Sequence, residues 1–356
     1  MQSKLQDFIY RLTHWETWHH HAKYIPILPV WAWYTIKAKS MWFFTASNPT
    51  ISFGGMEGES KEETYSQLPE GTFPQTIYIS PSEPFATVEK RVKENNFEFP
   101  FAVKPNVGMM GFMFRKINSI DQLRHYHEKM PIDYLVQKFI EYPLEVGVFY
   151  YRMPHQKKGT VSGLAYKLIP EIIGDGNSTL MEHLNQTKSR RFDLEMMKYR
   201  HQSNLNKIIP LGEKYLLSNA SNGSQGGKMV AYQSHKLEYL NKIFDEISLY
   251  KGNLFYGRFD IKCTSLKDLE EGKNFSILEF NGCGSGIQHI YGRGFNLIQV
   301  WVLVLKHWRM LYKISVHNHN NGVPYWSFSG GLTFLKKAKQ NLEMLKKLDA
   351  EFPSFQ

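Results

Sequence analysis

The rhythm of apolar positions changes several times along this chain. Leu5, Phe8, Ile9, Leu12 and Trp15 recur at three- and four-residue intervals, and a second aromatic run spans 31–44, so helices are expected over 3–24 and 31–44. Ser60 with Glu63 three residues later reads as a capping box opening a short polar helix over 60–68. A strand over 76–79 and a helix over 84–95 follow. Residues 99–104 form a strand that delivers Lys104, residues 105–111 a glycine-bearing loop, and residues 112–116 a second strand. A helix over 119–130 precedes strands over 134–140, 145–151 and 160–169. Gly174-Asp175-Gly176 marks a turn, with Ser178 or Thr179 capping a helix to about 188; residues 189–212 lack pattern and are expected to be a mobile insertion. Residues 222–227 read as loop and 234–251 as helix. Two strands over 256–262 and 275–281 come next, then helices over 293–314 and 331–348.

The second of those two late strands carries the first chemical signal. Side chains alternate across a strand, so Glu279 and Asn281 share a face at its end, and Asp260 lies on the strand before it. All three offer hard oxygen donors of the kind Mg²⁺ accepts alongside substrate phosphates. The chain is thus expected to hold a Mg-nucleotide against them. The loop after Lys104 joins two strands and lacks a Walker lysine, so it is neither a P-loop nor a dinucleotide fingerprint. Its backbone N–H groups can still lie over phosphates.

Composition narrows the class. The 356 residues are 42% apolar and 21% charged, which fits a folded chain with a sizeable core. Cys263 and Cys283 make neither a disulfide scaffold nor a Cys-x-x-Cys site and suit a reducing compartment. No stretch reads as a secretory leader or as a membrane span, so a cytoplasmic location is expected. The net charge of +10 is concentrated at the ends: residues 1–50 hold five Lys/Arg against two Asp/Glu, and residues 306–356 eight against three. Seven of the eight tryptophans lie in the same outer regions, Trp15, Trp18, Trp31, Trp33, Trp42, Trp308 and Trp326, and the eighth, Trp301, lies just before the second of them. One reading packs the two ends together as an aromatic, basic body. The other makes them a peripheral membrane or anionic-partner surface. No nucleic-acid motif accompanies the charge, and nucleic acid is not an expected partner. His19-His20-His21 reads as a solvated or packed face, since adjacent helical residues point apart.

Over about residues 60–308 the order and spacing of these motifs resemble the ATP-grasp superfamily, in particular its D-alanine–D-alanine ligase and cyanophycin-synthetase-like branches. The resemblance implies an α+β fold, with two sub-domains clamping ATP between antiparallel sheets. It implies ATP-dependent carboxylate–amine ligation through an acyl phosphate. Lys104 and Lys61 match the lysines on the nucleotide phosphates, and Gly108 and Gly111 the loop that closes over them, with Met109 and Met110 where relatives often carry serine. Gln137, Lys138, Phe139 and Ile140 match the segment that reads the adenine edge; Gln137 stands where many relatives have Glu. Glu145 matches the ribose-binding carboxylate. Asp260, Glu279 and Asn281 match the metal triad, implying two Mg²⁺ ions, with Mn²⁺ as the alternative. Arg258 matches the arginine that steadies the acyl phosphate, and Ser285 and Gly286 lie in the loop that holds the attacking substrate. Cys283 and His289 are further candidates near that loop, and Cys263 is expected in the core.

Two departures stand out. Relatives often carry an arginine just before the loop matched by 222–227; here the segment is Leu216-Leu217-Ser218-Asn219, and Lys167 or Arg152 would have to replace the missing cation. The usual N-terminal lobe is shortened or replaced, since only about 75 residues precede the strand at Thr76. The expected organisation is an aromatic basic extension over 1–50, a reduced N-terminal part with the first ATP-grasp sub-domain over 51–141, a second sub-domain with the metal site over 142–312, and a basic helical tail over 313–356. The expected partners are a small-molecule carboxylate and an amine. A small-molecule kinase and a nucleotide-binding scaffold at a membrane face are the alternatives.

Overall fold

The computed structural model describes residues 15, 22–168, 171–186, 194–217, 228–232, 237–292 and 294–352. Most of the helix expected over 3–24, the residues His19 to His21, residues 189–193 and the loop 222–227 lie outside them.

A 3₁₀ turn, Ala22–Ile27, leads into helix α1, Leu28–Ala38. The periodicity pointed to a helix reaching residue 44. It stops earlier because Lys39 turns left-handed, at φ 53°, and its N–H closes on the carbonyl of Ile36. Two buried 3₁₀ turns follow, Phe43–Ser47 and Ser52–Gly55. Asn48 sits between them with no exposed surface. Its Oδ1 accepts from the N–H groups of Phe255 and Tyr256, and its Nδ2 donates to the carbonyls of Gly54 and Tyr256. One carboxamide thus ties the N-terminal segment to a strand two hundred residues away, with all its main hydrogen-bonding capacity used. Helix α2, Lys61–Tyr65, begins where Ser60 Oγ accepts from Glu63 N at 3.0 Å. The other half of the capping box does not form: the Glu63 carboxylate accepts instead from the N–H and hydroxyl of Ser52.

The first sheet collects β1 (Thr76–Ile79), β2 (Phe101–Pro105), β3 (Arg115–Ile117) and β4 (Tyr134–Lys138) in the antiparallel order β1-β4-β2-β3. Helices α3 (Phe85–Glu94) and α4 (Ile120–Lys129) accompany it. β3 is shorter than the strand expected over 112–116, because Met110 and Met113 both take φ 58° and coil the chain before it pairs.

The second sheet is larger. Strands β5 (Leu144–Tyr151) and β6 (Thr160–Leu168) form a hairpin at its centre. Residues 171–217 hold β7 (Glu171–Ile173), α5 (Leu180–Gln186), α6 (Leu194–Arg200) and β8 (Lys214–Leu216). The described part of the expected insertion is therefore folded. It encloses its own small core of Ile172, Leu180, Leu184, Met197, Ile209 and Leu217, whose irregular spacing hid it. Then come β9 (Lys228–Ala231), α7 (Asn241–Leu249), β10 (Tyr256–Cys263), α8 (Leu266–Glu270) and β11 (Phe275–Asn281). The sheet order is β11-β10-β5-β6-β9, antiparallel throughout.

Two long helices close the chain. α9 (Leu297–Asn320) starts later than the expected 293, where Asn296 and Gln299 form a reciprocal capping box. α10 (Phe328–Glu351) starts earlier than the expected 331, capped by Ser327. The two ends of the chain pack as one aromatic body. Trp31 meets Trp308 edge-on at 5.2 Å, Tyr34 stacks on Tyr312 at 4.5 Å, and the indoles of Trp15 and Trp301 donate to the carbonyls of Phe295 and Lys23.

α10 leaves that body and crosses to the first sheet. Its Asp349 Oδ1 accepts from Arg115 Nη1 and from Met113 N, both at 2.8 Å, in a buried pair. Removing the carboxylate strands a buried guanidinium and a buried N–H. Asp349→Ala is therefore expected to lower stability by about 3–5 kcal/mol in urea unfolding, and Asp349→Asn by less, because it keeps one acceptor.

Candidate active site

β10 and β11 set the floor of the site by their register. Asp260 lies opposite Glu279 and Arg258 opposite Asn281, so the four side chains share one face. Between Asp260 and Ile261 the register slips, since Ile261 faces Ile277. Leu278 is then the extra residue of a bulge, with a carbonyl released from the ladder. That carbonyl accepts from Lys104 Nζ at 3.1 Å and from the Tyr65 hydroxyl at 2.5 Å. The bulge thus joins the metal-type carboxylates of the second sheet to the lysine of the first.

Asp260 is the most crowded group. Arg258 grips it with two bonds, Nε to Oδ1 at 2.7 Å and Nη2 to Oδ2 at 3.0 Å. Lys167 Nζ lies 2.8 Å from Oδ2, and Asn281 Nδ2 donates to the same oxygen at 3.2 Å. Burial alone would raise the Asp260 pKa; Arg258 and Lys167 outweigh it and hold the carboxyl at about 2. Lys167 reaches Glu145 as well, at 3.5 Å. The same face requires a small residue at 147. A Cβ on Gly147 would come within 2.2 Å of Gln288 Oε1 and 3.2 Å of Arg258 Cδ.

The first sheet contributes the opposite wall. Burial pushes Lys104 down to about 8, with Glu279 acting against it. Its ammonium also donates to Tyr65 at 3.1 Å, and Gln137 Nε2 donates to the same hydroxyl at 3.0 Å. Lys61, buried at the start of α2, is likewise lowered by burial; it lies 3.7 Å from Glu279 and donates to the Gly108 carbonyl. β4 ends at Lys138, and among the described residues the N–H groups of Phe139 and Ile140 carry no hydrogen bond. The Ile140 carbonyl accepts from Lys262.

Between these walls lies a cavity of about 160 Å³. Ala102, Phe112, Phe114, Ile140 and Leu278 line it along with polar groups that include Lys61, Lys104, Gln137, Glu145, Lys167, Asp260 and Glu279. A second cavity of about 500 Å³ adjoins it and shares Lys61, Gly108, Met109, Met110, Lys167, Asp260 and Glu279. Its far side holds Glu59, Arg258, Ser285 and Gly286. Two glycine stretches shape that side. A Cβ on Gly55 would sit 2.7 Å from Gly282 Cα, and Cys283 N and Gly284 N donate to the carbonyls of Gly54 and Gly55. Gly286 accepts from Arg258 Nη1 at 3.1 Å, and among the described residues the Ser285 hydroxyl has no partner. A larger open groove of about 610 Å³ along α10 lies apart from all these groups.

The predicted site residues Lys61, Lys104, Gly108, Gly111, Gln137, Lys138, Phe139, Ile140, Glu145, Arg258, Asp260, Glu279, Asn281, Ser285 and Gly286 thus all line one or other of the two adjoining cavities. Of the two cations considered for the missing arginine, Lys167 is at the centre. Arg152 is not: it is buried against Ser248, Gln156 and Gly252. Cys283 and His289 also fall outside the cavities. The Cys283 thiol is buried against the Phe53 carbonyl and its pKa is raised by burial, and His289 packs near Phe149 and His307. Cys263 lies in the core.

Sequence reasoning missed Glu59 and Tyr65. Among the described residues Glu59 Oε2 is buried without a hydrogen-bond partner. Burial, reinforced by Glu279, lifts its pKa to about 7. The one signal for Glu59 was its position four residues after Gly55 in a run of turn formers.

Among the described residues no three His, Cys, Asp or Glu side chains gather as a metal site. An ion here would rest on Asp260, Glu279 and the Asn281 carboxamide. That donor set fits Mg²⁺, which takes few protein oxygens when phosphates and water complete its shell. The Asn281 nitrogen donates to Asp260, which leaves its oxygen for another partner.

No family model matches the chain, and no curated protein is similar to it in sequence. Among solved structures it is similar to a bifunctional glutathione synthetase from Pasteurella multocida, at 15% identity and a TM-score of 0.40, over 71% of this chain and 35% of that one. The D-alanine–D-alanine ligase from Coxiella burnetii is similar at 12% identity and a TM-score of 0.42, over 82% and 63% of the two chains. The D-alanine–D-alanine ligase from Bacillus anthracis complexed with ATP is similar at 14% identity and 0.39, over 73% and 65%. This chain therefore spans about a third of the first structure's length and just under two thirds of the other two.

Glu59 carries a pH signature with a definite sign. Between pH of about 4.5 and 7 the folded chain keeps a proton that the unfolded chain has released, so this group makes stability fall as pH rises through that window. Glu59→Gln is expected to flatten the decline, read as the urea midpoint across those pH values. An unchanged slope would place the charge in solvent.

Proposed function

We propose that this chain is an ATP- and Mg²⁺-dependent ligase that joins a carboxylate to an amine through an acyl phosphate. The observation that carries this is the junction of the two cavities, where Lys61 pairs with Glu279 and Lys167 with Asp260, beside Lys104 in the smaller cavity. Three ammonium groups and a pair of hard-oxygen donors suit a triphosphate with its metal ions. The apolar end of the smaller cavity suits a nucleobase, with the Phe139 and Ile140 N–H groups at its edge. Glu145 suits the ribose hydroxyls. The division into sub-domains over 51–141 and 142–312 then becomes a clamp, which the extension over 1–50 and the tail over 313–356 brace through Asn48 and α10.

In this reading an oxygen of the substrate carboxylate attacks the γ-phosphorus, and ADP leaves. Arg258, held by Asp260 and the Gly286 carbonyl, steadies the acyl phosphate with the Nη N–H groups those bonds leave over. Asp260, Glu279 and Asn281 would hold Mg²⁺, which would supply neutralisation of the phosphate charge. Lys61 and Lys104 hold the phosphates in line, and Met109 and Met110 keep water from the junction. The amine then enters the larger cavity beside Glu59, loses its proton there and attacks the acyl carbon, releasing phosphate. A carboxylate that titrates near pH 7 is matched to accept that proton.

A second reading, nucleotide binding without turnover, draws on one observation: Asp260 is already engaged by Arg258, Lys167 and Asn281. Incubation with Mg-ATP and a library of amino acids and dipeptides separates the two. ADP, free phosphate and a new amide support the ligase; ATP binding without turnover supports the second reading; a phosphorylated small molecule supports a kinase. For the ligase, Glu279→Gln is expected to cut turnover by about 100-fold or more while the unfolding midpoint holds, because metal stabilisation supplies several kcal/mol. Full activity in that variant would remove the metal assignment.

Lys104 gives an independent test of nucleotide binding. Its pKa of about 8 should rise beside a triphosphate, so binding above pH of about 8 takes up a proton. Calorimetry in two buffers of different ionisation heat reads that uptake. Lys104→Met is expected to reduce it, leaving what Lys61 contributes, and to weaken binding by about 10- to 100-fold.

A further inference from the structure

The ends of the chain present a surface that the catalytic cleft does not use. In α1 every side chain is exposed or half-buried, although its sequence is almost wholly apolar. Its inner side, through Trp31 and Tyr34, lies on Trp308 and Tyr312 of α9. Its outer side turns Trp33 and Ile36 to solvent at 55% and 67% exposure, and Ile25 just before it is 61% exposed. On α9 the exposed positions Ile298, Val302, Lys306, Arg309 and Lys313 fall within one sector of about 80° at 100° per residue. The two outer faces adjoin. Trp308 and Tyr312 flank that sector, and the Arg309 charge is felt by the Tyr34 phenol.

The charge on this surface has one sign. Residues 17–56 and 280–342 contain no Asp or Glu at all, while they carry ten Lys and Arg. Lys37 and Lys39 end α1, and Lys306, Arg309 and Lys313 continue the apolar stripe of α9. Exposed indole and aliphatic side chains beside lysines and arginines, with no carboxylate among them, complement a headgroup layer of negative charge over acyl chains. Among the described residues no helix is long and apolar enough to cross a membrane, so contact would be lateral.

We propose that the joined outer faces of α1 and α9 dock the protein on an anionic lipid bilayer. Trp33, Ile36, Ile298 and Val302 enter the interface, and Lys306, Arg309 and Lys313 meet the headgroups. None of these seven side chains lines either cavity of the cleft, so docking and nucleotide binding are separable.

The test is co-sedimentation of the full chain with phosphatidylcholine vesicles, with and without phosphatidylglycerol. Binding is expected only to the anionic vesicles and is expected to weaken as salt rises. Two double variants, Trp33→Glu with Ile36→Glu and Lys306→Glu with Arg309→Glu, are each expected to bind at least about tenfold more weakly, with unchanged thermal unfolding. Absence of binding by the wild type, equal binding to neutral vesicles, or undiminished binding by folded variants would each overturn the proposal. So would a wild-type dimer that the variants dissolve without any vesicle contact, because a second copy would then cover this face.

Discussion

Lys61, Lys104, Lys167 and Arg258 share one narrow cleft with Glu59, Glu145, Asp260 and Glu279, and the second sheet is arranged around keeping these charges close to one another. Asp260 is the pivot. Lys167 can touch it only because β5 separates β10 from β6 and carries Gly147 at the crossing point. Arg258 can grip it because strand alternation puts both on one face. Lys104, from the other sheet, has no salt-bridge partner among the described residues and relies on a carbonyl that the Leu278 bulge sets free. Such a cluster is poorly matched to itself: burial lowers the pKa of Lys61 and Lys104 and raises that of Glu59. A polyanion would relieve the lysines; an ammonium would relieve the glutamate.

How much of this could be read from the sequence depends on the distance over which each signal acts. β10 and β11 were legible because a two-residue period ended in polar residues, and their pairing then fixes Asp260 opposite Glu279. α9 and α10 were legible as helices, yet their starts were not, because Asn296 with Gln299 and Ser327 act through side-chain bonds that apolar spacing does not record. β3 was misplaced because Met110 and Met113 join Gly111 in the left-handed region, which nothing in a methionine side chain announces. Lys167 could be noted as a cation but not placed, since its position depends on sheet order. Glu59 was invisible for the same reason: only the contact of Gly55 with Gly282 brings its loop to the cleft.

The aromatic ends are held together by one buried anchor. Asn48 pins the N-terminal segment to the start of β10, and Trp31, Phe43, Phe44 and Phe53 then have α9 to lie against. Gly331 allows the start of α10 to come close to the Trp42 indole, where a Cβ would stand 2.4 Å from Nε1. The body so formed is continuous with the back of the cleft through Phe149, Tyr256 and Cys283.

α10 has a mechanical consequence. Its first turn is fastened at Trp42, its middle at the Val107 carbonyl through Asn341, and its last turn at Met113 and Arg115 through Asp349. A helix of 24 residues is a rod of about 36 Å. The glycine loop over the cavity is therefore hung from a strut whose far end is embedded in the aromatic body. Lifting the loop would break its two side-chain tethers or carry the strut with it, so contacts well outside the cleft help to hold the loop over it.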